Sequence, residues 1–87
     1  DVMIVRVMGD SMINANIEDG DLILFKKTKE FVSGDIVLAQ TPDGTTVKRF
    51  ISQDKPPYVF LKPENPKYPI ILFTDEMEMI GKMVKKL

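Results

Sequence analysis

Ser11 and Lys48 are the residues of this sequence whose types and setting fit covalent chemistry. Ser11 lies in Gly9-Asp10-Ser11-Met12, directly after the apolar, β-branched run Val2–Val7. Gly and Asp favour a turn at that strand end, which leaves a hydroxyl exposed rather than buried in a ladder. The sequence contains no His and no Cys. A serine nucleophile therefore has no imidazole to activate it, and thiol catalysis is excluded. The remaining activator with good precedent is a lysine whose amine is kept neutral by burial. Lys48 fits that role, and the pair reads as a Ser–Lys hydrolase core.

The elements that must position this pair are short strands. Val2–Val7 is the first, and Met8–Asp21 is a loop rich in Gly, Asn and Asp with one helical turn near Ser11–Ala15. Asp21–Lys26, Asp35–Gln40, Thr45–Ser52, Tyr58–Lys62, Ile70–Phe73 and Met79–Lys85 follow as strands. Pro42-Asp43-Gly44 is a hairpin signal between the third and fourth. Prolines at 63, 66 and 69 make that stretch an extended loop. About seven short strands, with turn signals at short intervals and no sustained helical period, predict a compact all-β domain, a small sandwich or a partly open barrel. Period-two alternation puts Lys48 on one face with Thr46 and Phe50, and Val47, Arg49 and Ile51 on the other. Asp19-Gly20-Asp21 and Ser33-Gly34-Asp35 each precede an apolar strand, and turn chemistry accounts for both.

Composition narrows the function classes. At 87 residues the chain is one small domain, residues 1–87, with a modest core and no disulfide to supplement it. Twelve basic residues against thirteen acidic ones give a net charge of −1, which is not the footprint of a free-standing nucleic-acid binder. The basic run Lys26-Lys27-Thr28-Lys29 reads as a solvated loop. No apolar run approaches the ~20 residues of a membrane span, and the start has no signal-peptide pattern. A cytoplasmic location is the bland expectation. Position 1 is Asp rather than Met, so a fragment or a processed product is expected.

Taken singly, a strand lysine is most often solvated and a turn serine is most often only part of the turn. Their surroundings sharpen the pair. Gly9-Asp10-Ser11-Met12, Ile17-Glu18-Asp19-Gly20-Asp21, Ser33-Gly34-Asp35-Ile36-Val37, Thr46-Val47-Lys48-Arg49, Leu61-Lys62-Pro63-Glu64-Asn65 and Ile80-Gly81-Lys82 occur in one order along the chain. The set resembles the LexA-like family: LexA, the UmuD proteins and phage repressors. The resemblance covers essentially the whole chain and includes the 37-residue step from Ser11 to Lys48 (48 − 11).

The resemblance implies a C-terminal peptidase and dimerisation domain of a repressor that cuts its own chain at a small-residue bond, commonly Ala-Gly, when a RecA filament stimulates it. It matches Ser11 to the nucleophile, Lys48 to the general base, and Met12 to the residue that helps shape the pocket, with a core methionine as the alternative. Backbone N–H groups around Ser11, with Asp10 and Met12 on either side, would hold the oxyanion. Glu64-Asn65 matches a turn that ties a loop down. No cofactor or metal is implied. DNA binding and the cleavage loop would belong to an N-terminal part outside these residues. The C-terminal run 79–85, apolar on both faces, reads as an unpaired edge that pairs with its copy in a two-fold dimer. Two other readings stay open: a domain of the same fold that only dimerises and binds partners, and a signal-peptidase-like enzyme. The second is disfavoured by the lack of a membrane segment.

Overall fold

Seven strands form where the apolar runs predict them. They are β1 (Val2–Arg6), β2 (Leu22–Lys27), β3 (Ile36–Thr41), β4 (Gly44–Ser52), β5 (Val59–Lys62), β6 (Ile71–Leu72) and β7 (Glu78–Lys86). The computed structural model describes residues 1–87, and its one helical segment is a 3₁₀ turn over Ile13–Ala15. All strands join one sheet in the order β1-β2-β7-β3-β4-β5-β6, with every pairing antiparallel. The sheet curls into a half-barrel but does not close, because β1 and β6 remain at its two ends. Of the two all-β forms expected, the partly open barrel is the one adopted. No helix is long and apolar enough to cross a membrane.

The central hairpin divides the core. Leu38 pairs with Val47 on one face of β3 and β4, while Val37 pairs with Lys48 and Ala39 with Thr46 on the other. Leu38 and Val47 join Val7, Met12, Ile17, Ile23 and Phe25 in one buried cluster. Val37 and Ala39 join Phe50 and Leu61 in a second. Lys48 therefore stands on an apolar face, as the alternation of β4 requires.

The expectation of an unpaired C-terminal edge over residues 79–85 is corrected for residues 79–82. β7 lies between β2 and β3, with its first half paired to β3 (Glu78 to Lys82) and its second half to β2 (Gly81 to Lys86), so it is not an outer strand, but residues 83–86 are paired on the β2 side alone. Being last in sequence does not make a strand outermost: β2 and β3 are not neighbours, and β7 fills the place between them. The simple two-face division of this strand also fails. A register shift between Leu38 and Ala39 lets Ile80 and Met83 pack on the first cluster while Met79 packs on the second. Gly81 sits where backbones crowd, since a Cβ there would lie 2.5 Å from the Lys26 carbonyl oxygen. The sheet's real edges are β1 and the two-residue β6.

Candidate active site

Ser11 is placed by the loop between β1 and β2. Pairing of these strands extends past Arg6, with the Val7 N–H donating to the Asp21 carbonyl at 2.8 Å and the Gly20 N–H to the Val7 carbonyl at 2.8 Å. The chain then turns at Gly9, whose φ of 89° suits glycine and whose N–H donates to Asp19 Oδ1 at 2.7 Å. Met12 and Ile17, 1% and 0% exposed, pin the two sides of the 3₁₀ turn into the first cluster. Ser11 precedes this anchor and stays partly accessible. The far side of the loop is clamped by Lys86, whose ammonium lies 3.0 Å from Asp21 Oδ2 and donates to the Asn16 carbonyl at 3.0 Å. The Asp21 carboxyl is held below its usual range, first by the Glu18 N–H and then by Lys86. The two Gly-Asp phrases do serve as turns: Glu18 N–H donates to Asp21 Oδ2 and Val32 N–H to Asp35 Oδ2, at 2.7 and 2.9 Å.

Lys48 reaches this turn from β4. It is 8% exposed, and its Nζ donates to Ser11 Oγ at 2.8 Å, Thr46 Oγ1 at 2.6 Å and the Val47 carbonyl at 3.2 Å. The charged amine's three N–H groups are thus all used. No carboxylate forms an ion pair with it. Desolvation without a counterion disfavours the charged form, so the Lys48 amine is held below the ordinary lysine value of 10.5. The structure brings together the serine and the lysine that the sequence singles out. It also adds Thr46, which the sequence reading placed on the same face without assigning it a role.

Asp10 lines a cleft beside Ser11, whereas the Met12 side chain does not. Met12 is a core anchor and lines neither cleft beside Ser11, because its side chain is drawn into the first cluster. The Asp10 carboxylate is engaged by the loop 63–70: Tyr68 O–H donates to Asp10 Oδ1, and Asn65 Nδ2 donates to the Asp10 carbonyl at 2.9 Å. Asn14 N–H donates to the Glu64 carbonyl at 2.9 Å, and Arg49 Nε to Glu64 Oε1 at 3.0 Å, so Glu64-Asn65 does tie its loop down. The backbone N–H groups of Asp10, Ser11 and Met12 donate to no group of the chain. Two clefts meet at the pair. One, of about 120 Å³, runs between Val5–Met8 and Thr45–Lys48; the other, of about 260 Å³, lies between Met8–Ser11 and Tyr68, Pro69 and Ile71. No group of three or more His, Cys, Asp or Glu side chains is arranged to hold a metal. Tyr68 carried no signal in the sequence, since its partner Asp10 lies 58 residues away.

The sequence has relatives. A family model described as Peptidase S24-like matches residues 1–84. A LexA repressor of Clostridium novyi (strain NT) is 40% identical over 84 residues, which is 95% of this chain and 40% of that protein. LexA repressors of Clostridium perfringens (strain ATCC 13124) and Desulfitobacterium hafniense (strain DSM 10664 / DCB-2) are each 40% identical, over 85 and 83 residues, 97% and 95% of this chain. The chain spans about two fifths of the length of these relatives.

The burial of Lys48 has a pH signature. Between its lowered folded-state value and 10.5, the unfolded chain binds more protons at this position than the folded one. Its share of stability therefore rises with pH through that window, and its amine loses its proton before the other lysines. Following the lysine side-chain ¹³Cε signals against pH, with Lys48→Arg to assign the resonance, is expected to show one lysine titrating below the rest. Co-titration of all lysines near the ordinary value would contradict this.

Proposed function

The chain belongs to the Peptidase S24-like family, and from that membership we propose that it is the catalytic and dimerising C-terminal domain of a LexA-like repressor, a Ser–Lys peptidase that cuts its parent chain. The observation that carries the reading is the 2.8 Å approach of a buried lysine without a carboxylate partner to Ser11 Oγ. In the neutral amine two N–H bonds and one lone pair remain. The Val47 carbonyl can only accept, and Thr46 Oγ1 accepts the other N–H, which turns the lone pair to Ser11. Lys48 then takes the hydroxyl proton as Oγ bonds to the scissile carbonyl carbon. The free N–H groups of the Asp10–Met12 stretch are at hand for the oxyanion, so these residues contribute backbone rather than side chains. Collapse of the tetrahedral intermediate breaks the C–N bond as Lys48 returns the proton to the leaving amine. Water then hydrolyses the acyl-serine by the same route, with Lys48 again as base. The two clefts leave room for chain on either side of the bond.

The parent protein's setting follows from the same reading: a cytoplasmic regulator that binds DNA through another domain and is stimulated by a RecA filament. A reading as a dimerisation module without chemistry gives no reason for a lysine to be desolvated against a serine. Dimerisation through the end of β7 is retained: residues 83–86 are paired on one side alone, and apolar side chains lie beside them. Val2 and Ile4 of β1 and Val84 and Leu87 at the end of the chain are each more than half exposed. Ile4 pairs with Leu24, and Leu24 with Lys85, which brings β1 and β7 to one outer face. A second copy on this face would cover its apolar residues.

A supplied peptide containing an Ala-Gly bond should be cleaved faster as pH rises, to a plateau once Lys48 is neutral. Ser11→Ala should abolish cleavage. Lys48→Ala should lower it by about 10²–10⁴-fold, the usual worth of a general base. Thr46→Val should cost on the order of tenfold, as expected for one lost hydrogen bond. Cleavage unchanged in S11A or K48A would remove the dyad. Sedimentation of the chain at micromolar concentration should show a dimer that Ile4→Glu or Val84→Glu dissociates. A monomer indifferent to both changes would remove the dimer.

A further inference from the structure

The loop that carries Tyr68 does more than close one end of the sheet. The larger cleft beside Ser11 and Lys48 is walled by Tyr68, Pro69 and Ile71 on one side and Met8 on the other. Met8 is 87% exposed and Tyr68 42%, so both present apolar surface to whatever enters. The volume, about 260 Å³, falls below the roughly 300–1,000 Å³ of sites for drug-sized ligands and suits a single side chain. The cleft's one carboxylate, Asp10, is already engaged by the Tyr68 hydroxyl. That bond has a second effect, because it ties the wall to the residue before the nucleophile, and Asn65 reinforces the tie at the Asp10 carbonyl. The phenol is pushed above its ordinary range, first by its hydrogen bond to Asp10.

We propose that Tyr68 is a specificity-determining residue: its ring walls a subsite that takes one bulky apolar side chain of the segment being cut, near the scissile bond but outside the two small residues that flank it. The proposal rests on the peptidase reading and assigns it a substrate preference. The occupant is a side chain of the cleaved segment rather than a separate ligand, since the cleft opens directly onto the Ser11–Lys48 contact. The smaller cleft along Val5–Met8 takes the chain on the other side of the bond.

Binding to the inert Ser11→Ala chain separates this from the chemistry. Fluorescein-labelled octapeptides with a central Ala-Gly, carrying Ala, Leu, Phe or Glu at each of three positions on either side, are titrated by fluorescence anisotropy. At one position Leu or Phe should tighten binding about tenfold over Ala, the scale on which apolar pockets discriminate, and Glu should weaken it. In S11A/Y68A that preference should vanish at that position alone, while S11A/Y68F should keep it. In the chain with Ser11 intact, Y68F should lower kcat with KM unchanged, because the ring remains and only the tie to Asp10 is lost. Should Y68A fail to fold, Ile71→Phe narrows the same cleft and should shift the preference from Phe to Ala. No position with an apolar preference, or a preference unchanged in both Y68A and I71F, overturns the proposal. Loss of cleavage without loss of this pattern would instead count against the peptidase reading alone.

Discussion

The Lys48 amine is the constraint around which the site is built. A lysine on an apolar face of β4, with no carboxylate beside it, is costly in its charged form. Three acceptors offset part of that cost, and each comes from a different feature of the chain. Thr46 is supplied by the period of the strand, the Val47 carbonyl by the strand's own backbone, and Ser11 by a turn 37 residues earlier. Removing any one of them leaves a buried donor unpaired. The same imbalance that makes the charged amine expensive makes the neutral amine accessible, so the structural cost and the proposed chemical use have one origin.

The rest of the fold keeps the Ser11 turn against that amine. Met12 and Ile17 anchor the turn in the core from beneath, while Asp19 holds Gly9 at its start. Lys86 clamps the loop's far side from β7. Tyr68, Asn65 and Glu64 reach over from the opposite end of the sheet. A partly open barrel allows this, because its curl carries the β5–β6 loop back toward the end of β1 without a closed ring of strands. Gly81 lets β7 approach β2 closely, since a side chain there would strike the Lys26 carbonyl.

Much of this was legible in the sequence. The alternation of β4 placed Lys48 with Thr46 and Phe50, and the Gly-Asp turns and the Pro42-Asp43-Gly44 hairpin mark their strands where they occur. The exclusion of His and Cys left a lysine as the partner for Ser11 before any geometry was known. What was not legible depends on contacts between distant residues. The interior position of β7 depends on which strands lack neighbours, and local pattern does not encode that. A register shift defeated the two-face reading of residues 79–85, since one extra residue reverses the alternation. The tie from Tyr68 to Asp10 joins residues that have no local pattern in common, and Met12 could be placed in the core only once the packing was known.

The central claim is that Lys48 activates Ser11, and covalent trapping addresses it without reference to any substrate. A fluorophosphonate reacts with a serine in proportion to its activation, and mass spectrometry of the digested chain identifies the modified residue. The account predicts a single adduct on Ser11 that forms faster as pH rises toward the point where Lys48 is neutral, and that is lost in Lys48→Ala although the fold persists. An adduct on Ser11 that forms equally well in Lys48→Ala, or labelling spread without preference over Ser11, Ser33 and Ser52, would contradict it.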